Sequence, residues 1–340
     1  MTVQLDSSVG VKKQSDFTTP ATVDRFLEFI DESFDFDRTY YQGAGQRPGS
    51  RFPRSRRNVL VKDGAKGDLN LEVPTRGLGT LLELMLGVAT STKVSASTGV
   101  YQQLFTPIKN DYLPVATFQK GIPRLGANTV DTYTMRGMAC SNFEFSIAAD
   151  VLKLKSSWVG RDLVLDTTYA TPSYPASDLF SFVGASLQVG GSVTVPGAQT
   201  LSSGGTAVAT IRDFSVSVDN GFDSNGWNIG GAGKRSRPPA VGTAMVKGKL
   251  KAEYSGTDFR DAVANHTSLA FVAHFEGPTE IESGYVPVLE IVLPDVKFEG
   301  SMPVAAGGDV ITQDLELAGY DGLVAANALY IAVRTADTAL

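Results

Sequence analysis

Residues 141–160 read SNFEFSIAADVLKLKSSWVG. Phe143, Phe145 and Ile147 alternate with Asn142, Glu144 and Ser146, a period of two that buries one face of a strand and leaves the other in water. The same alternation recurs further along the chain. In TIRDFSVSVDNG (210–221), Phe214, Val216 and Val218 oppose Ser215, Ser217 and Asp219, and in AMVKGKLKAEYSG (244–256), Val246, Gly248, Leu250 and Ala252 oppose Lys247, Lys249 and Lys251. YLPVATFQK, TVDTYTMRG, ASLQVGGSVTV, SLAFVAHFEG, PVLEIVLPDVKFEG, DVITQDLELAG and ALYIAVRT continue the theme, while NVLVKDG and DLNLEVP read as two short strands broken by Gly-Ala-Lys-Gly. Roughly a dozen strands with Gly-rich turns predict a mainly β fold, an antiparallel sandwich or barrel. Within this β region only two segments read as short helices, TLLELML closed by Gly87 and TDFRDAVAN.

Length and composition bound the rest. The chain has 340 residues, 42% hydrophobic and 19% charged, with 35 Gly, 16 Pro, one Cys and two His. Such a chain buries a real core, and a single cysteine, Cys140, excludes an intramolecular disulfide framework and fits a reducing compartment. The N-terminal residues MTVQLDSSVGVKK carry no apolar stretch after a basic start, and no apolar run spans a membrane, so the expectation is a protein made in the cytosol with no membrane contact.

The net charge of −6 is a sum of opposed blocks. From Gly256 to Leu340 three basic residues face thirteen acidic ones, and from Asn225 to Ser255 six basic residues face one acidic. Near the N-terminus Asp24, Glu28, Asp31, Glu32, Asp35 and Asp37 precede Arg47, Arg51, Arg54, Arg56 and Arg57. Such sorting fits either solvated faces or head-to-tail complementarity between identical subunits.

Residues 1–57 read as an arm attached to a β domain at 58–340, with a loop or linker near 171–205. In TPATVDRFLEFIDESF, Thr19 as cap and Pro20 in the first turn predict a helix on which Phe26, Ile30 and Phe34 share one face. That apolar stripe and the Arg block are the expected inter-subunit contacts.

Motifs that would carry chemistry fail on inspection. GWNIGGAGKRSR has Asn228 where a phosphate loop needs Gly and Arg235 where it needs Ser or Thr. His266 and His274 stand eight apart without a third ligand, Asn265-His266-Thr267 is a glycosylation sequon in form only, and no nucleophile elbow occurs. Cys140 reads as a packed strand residue. Asp314 and Glu316 form an acidic pair of a kind glycosidases use, but carboxylates on the wet face of a strand are the favoured reading. No catalytic residue, metal or cofactor is called for, and interaction becomes the default.

Four stretches then resemble a known family: GLGTLLELMLG (77–87), TYTMRGMACSNFEFSIAADVLKLKSSWVG (132–160), TIRDFSVSVDNGFDSNG (210–226) with VKGKLKAEYSGTDFRD (246–261), and LEIVLPDVKFEGSMPVAAGGDVITQDLELAGYDG (289–322). Together they are similar to tail tube proteins of bacteriophages with long, non-contractile tails. The resemblance implies a β-sandwich subunit forming stacked hexameric rings, a lumen that passes DNA, and tape measure, tail terminator and distal tail proteins as partners in the virion tail. Lumen walls facing DNA should be acidic or neutral, since each Lys or Arg near phosphate adds affinity through counterion release. Glu144, Ser215, Ser217, Asp219, Asp314 and Glu316 are the expected lumen residues, with the Lys247, Lys249, Lys251 stripe expected outside the lumen or in a ring contact. Another virion component, such as a capsid decoration or baseplate protein, and a carbohydrate-active β protein are the alternative readings.

Overall fold

A computed structural model describes residues 6–126, 129–223, 225–304, 308 and 310–340. In chain order the elements are β1 (Ser8–Lys13), β2 (Arg25–Leu27), β3 (Asp31–Glu32), β4 (Asp35–Gln42), β5 (Asn58–Glu72), α1 (Gly79–Leu86), β6 (Gly87–Lys93), β7 (Tyr101–Pro107) and β8 (Ala116–Pro123). Then come β9 (Val130–Ile147), β10 (Lys153–Gly160), β11 (Asp162–Leu165), β12 (Ala185–Val189), β13 (Val193–Thr194), β14 (Ser203–Gly204), β15 (Ala207–Val208) and β16 (Ile211–Asp219). The last are β17 (Met245–Glu253), α2 (Asp258–Asn265), β18 (Ser268–Glu276), β19 (Val288–Gly300), β20 (Thr312–Gly319) and β21 (Tyr330–Thr335).

All ladders among the described residues are antiparallel, and they build a sandwich. The first layer runs β5, β10, β9, β16, β17, β20, β19. The second runs β6, β7, β21, β19, β18, β12, β15. β19 belongs to both layers: Val288–Val292 pair with β21, and Val296–Gly300 pair with β20. Pro294 lies between the two halves, at a register shift against β18, where its missing N–H costs no ladder bond. The core forms where the layers meet, with the Phe214 ring stacked on Phe271 at 5.4 Å. α1 buries Leu81, Leu82, Leu84, Met85 and Leu86 and ends at Gly87 in a left-handed conformation, as the sequence predicts.

β9 extends beyond the sandwich. Its first half pairs with β8 and β11, and β8 carries β1 and then β2, so a smaller sheet grows from the same strand. The strand bulges at Gly137, whose φ of 63° and close approach to the Phe17 ring leave no room for a side chain.

The expected N-terminal helix is absent. Residues 25–27 and 31–32 are strands instead, and Phe34 packs 5.0 Å from the Phe118 ring. Phe26 and Phe34 are only 6% and 1% exposed, covered by this chain itself, whereas Ile30 is 52% exposed. The i, i+4, i+8 spacing fits a helix, but extended pairing lets Leu27 and Phe34 enter the main core while Phe26, on the opposite face of β2, is covered by Tyr174. The boundary expected at residue 57 falls inside the β4–β5 hairpin. NVLVKDG and DLNLEVP form one continuous strand, β5, because Gly67 lets Phe34 cross it at a distance a Cβ would forbid. The stretch 171–205 is loop only in its first part; β12 to β14 occupy much of the remainder.

Candidate functional surfaces

In an antiparallel sheet, residues directly opposite one another share a face. One row across the first layer reads Glu72, Lys153, Ser146, Ser215, Lys249, Glu316, Glu299. The next reads Asn70, Lys155, Glu144, Ser217, Lys247, Ala318, Lys297. Lys251 stands between Asp213 and Asp314 on one side, and Asp68, Ser157, Asn142 and Asp219 extend the face on the other. The intervening residues, among them Phe143, Phe145, Phe214, Val216, Leu250 and Leu315, are buried.

All six expected lumen residues, Glu144, Ser215, Ser217, Asp219, Asp314 and Glu316, therefore lie on one wet face. The lysine stripe lies there too, which overturns its expected separation from them. With Gly248, Leu250 and Ala252 turned into the core, the odd-numbered lysines must project beside Ser215, Ser217 and Glu316, and Lys249 Nζ comes within 3.7 Å of Glu316 Oε1. Eight carboxylates and six lysines share this face, a net of −2, and the lysine strands β10 and β17 each lie between strands that carry carboxylates.

A second surface is the β4–β5 hairpin. Residues 58–62 are all exposed, and so are residues 39–41 opposite them, so the outer half of the hairpin stands clear of the sandwich. Tyr40, Tyr41, Val59, Leu60 and Val61 are exposed along it, and Phe52 at its tip is 85% exposed. The tip, residues 43–57, carries five arginines and no carboxylate. Arg54 donates to the Gly45 carbonyl at 3.5 Å and Arg57 folds against Gly45, which leaves Arg47, Arg51 and Arg56 as the ones without a role in closing the loop.

The basic loop rejected as a phosphate site braces the root of this hairpin. Asp63 N–H donates to Gly233 O at 2.7 Å, and the Trp227 ring lies under both Lys62 and Arg235, at 5.5 and 4.8 Å. Lys234 reaches Asp162 Oδ2 at 2.6 Å. Arg136 donates to both oxygens of the same carboxylate, through Nε at 2.7 Å and through Nη2. Asp162 is thus the buried anchor between the loop and β9. The sequence offered no signal for it, since its two bonded partners come from distant segments of the chain.

The histidines are not neighbours in function. His266 caps the C-terminus of α2 with φ of 50°. His274 is held by Glu290 Oε1 at 2.8 Å on Nδ1 and Glu276 Oε1 at 3.1 Å on Nε2, so both nitrogens face carboxylates, an arrangement that favours the doubly protonated imidazolium. Burial pushes the imidazole pKa down, but the hydrogen bonds to Glu290 and Glu276 outweigh it and raise the value above 6.5. A raised folded-state pKa gives stability that is fully present below the unfolded value and is lost as pH rises through the folded one. Glu290 also accepts Ser202 N–H at 2.8 Å, so the β13–β14 strap depends on this pair. The melting temperature is expected to fall as pH rises above the 6.5 range, and His274→Gln to flatten that dependence; an unchanged profile in the variant would remove His274 as its source.

Cys140 is buried in β9, as expected, and burial pushes its thiol pKa well up. Among the described residues no group of three His, Cys, Asp or Glu side chains is placed to hold a metal, and no helix is long and apolar enough to cross a membrane.

A two-layer antiparallel sandwich with an amphipathic sheet and an outstretched, arginine-tipped hairpin presents surfaces suited to association. The family described as phage tail tube protein matches residues 4–319, and the chain belongs to that family. It is a structural protein of the virion tail. Comparison with curated proteins finds no match.

Proposed function

We propose that the subunit polymerises as stacked rings, hexameric by resemblance, into the hollow tube of a long non-contractile tail, and that DNA leaves through its lumen. The wet face of the first layer carries this reading. It is wide, polar and close to neutral, and its lysines alternate with carboxylate-bearing strands, so a passing phosphate backbone meets little net attraction. A barrel assembled from many such strands encloses water rather than a packed core. The arginine-rich hairpin tip supplies the ring-to-ring contact. Tape measure, tail terminator and distal tail proteins are the proposed partners, with synthesis and assembly in the host cytoplasm.

Ser217→Cys tests the placement, because Cys140 is buried and gives no background. In assembled tubes viewed by electron microscopy, a small maleimide should label position 217 while a bulky polyethylene-glycol maleimide should not; in the free subunit both should react. Equal labelling by the bulky reagent in tubes would place the face outside, and loss of labelling by the small one would place it in a subunit contact.

A further inference from the structure

The hairpin tip needs an acceptor, and the opposite end of the same layer carries a surface that suits it. Strand register fixes the two ends. β5 runs from the hairpin past Lys66, opposite Val159, to Glu72, opposite Lys153, so the tip lies beyond the end where β16 finishes and β17 begins. At the other end, where β16 begins and β17 finishes, an open groove of 610 Å³ lies between α2 and the edge strand β15. Its lining combines Val208, Tyr254, Phe259 and Leu269 with the carboxylates of Glu253, Asp258 and Asp261, and includes no lysine or arginine. Arg212 and Arg260, outside the lining, pair with Glu253 and Asp261; Asp258 makes no ion pair among the described residues.

We propose that the hairpin tip of one copy docks in this groove of a second copy, with Phe52 on the apolar wall and the tip arginines against Asp258 and Asp261. The inference rests on the stacked-ring reading and names the receiving surface that reading leaves open. Three observations support it. The charges are complementary, five arginines without an acid facing three acids without a base in the lining. An exposed aromatic facing an apolar groove is the arrangement from which binding hot spots are built. Finally, tip and groove lie at opposite ends of one layer, so the contact is heterologous and repeats head to tail without consuming itself, the requirement for an open polymer. The part of the hairpin that stands clear, Asn58 to Lys62, spans about 13 Å at strand rise and carries the tip beyond the end of the sandwich. The Trp227 and Asp162 brace holds it in a set direction before contact.

The test is cross-linking between two single variants, Phe52→Cys and Ala209→Cys, the latter on the exposed groove wall. Mixed and assembled under a mild oxidant, they should give a covalent dimer that neither forms alone, and the double variant should give a ladder. Tubes without a cross-link overturn the groove as acceptor while the tube reading stands; wild-type protein that forms no tube overturns that reading itself. Should the cysteines impede assembly, a charge swap reads the same contact. Asp258→Arg with Asp261→Arg should stop growth, and adding Arg51→Asp with Arg56→Asp should restore it; failure to restore overturns the proposal.

Discussion

Asp162→Ala is expected to lower stability by about 3 kcal/mol, the low end of the range for breaking a buried pair, because it removes the buried anion on which three partly exposed cations converge. The carboxylate is 1% exposed, with Arg136 and Lys234 bonded to it and Arg161 Nη1 at 3.8 Å. Burial pushes its pKa up, but the hydrogen bonds from Arg136 and Lys234 overcome this and hold it below the usual carboxylate value of 3.8. A depressed folded-state pKa gives stability that is present above the unfolded value and lost as pH falls through the folded one. Wild type should therefore lose this contribution only in acid, below about pH 4. Denaturant titration at neutral pH checks the size, and Asp162→Asn, which keeps the shape but not the charge, should also be strongly destabilised. A loss below 1 kcal/mol in both variants would mean that the cations find water once the carboxylate is gone. Because Lys234 ties the 225–240 loop to this group, the milder variant should also raise amide exchange at the hairpin root near Asp63.

Reversing the tip charge should abolish assembly without unfolding the subunit. Replacing Arg47, Arg51 and Arg56 by Glu takes residues 43–57 from +5 to −1. These side chains take no part in closing the loop, so folded stability should stay within about 0.5 kcal/mol of wild type, the ordinary range for surface substitutions. Each 1.4 kcal/mol lost from a subunit contact costs about tenfold in affinity. Electron microscopy and sedimentation should therefore show free subunits or isolated rings at concentrations where wild type forms tubes, with an unchanged circular dichroism spectrum. Wild-type growth should itself weaken as salt is added, since exposed charges more than about 10 Å apart are screened at 0.1 M. Normal tube length in the triple variant would remove the tip arginines from the stacking contact.

Part of this was legible in the chain. Alternation in 142–147, 214–219 and 246–252 identifies strands and even their buried faces, because side-chain direction along a strand is a purely local consequence of the backbone. Both short helices were readable for the same reason, each being a compact apolar or capped segment. β7 was missed: Gln102 and Gln103 are almost fully buried, so its sequence shows no polar alternation. Gln102 donates to the carbonyls of Gly197 and Thr200, about a hundred residues away, and accepts from Arg334 at 3.5 Å. The N-terminal segment was read in the wrong period because three aromatic and aliphatic positions at four-residue spacing satisfy a helix as well as an extended chain meeting a core.

The amino-acid sequence alone determined the fold class, the alternation that gives each strand a wet and a dry face, and the concentration of arginine in residues 47–57. Which strands lie side by side was decided only by the tertiary structure. Register placed Lys249 between Ser215 and Glu316 and so turned a supposed acidic surface into a balanced one. Chain folding brought Lys234, Arg136 and Asp162 into one buried cluster, and set the arginine tip and the acidic groove at opposite ends of the same layer. The physical reason is that a side chain's direction is set by its own backbone, whereas its neighbours' charge is set by pairings between segments tens of residues apart in the chain.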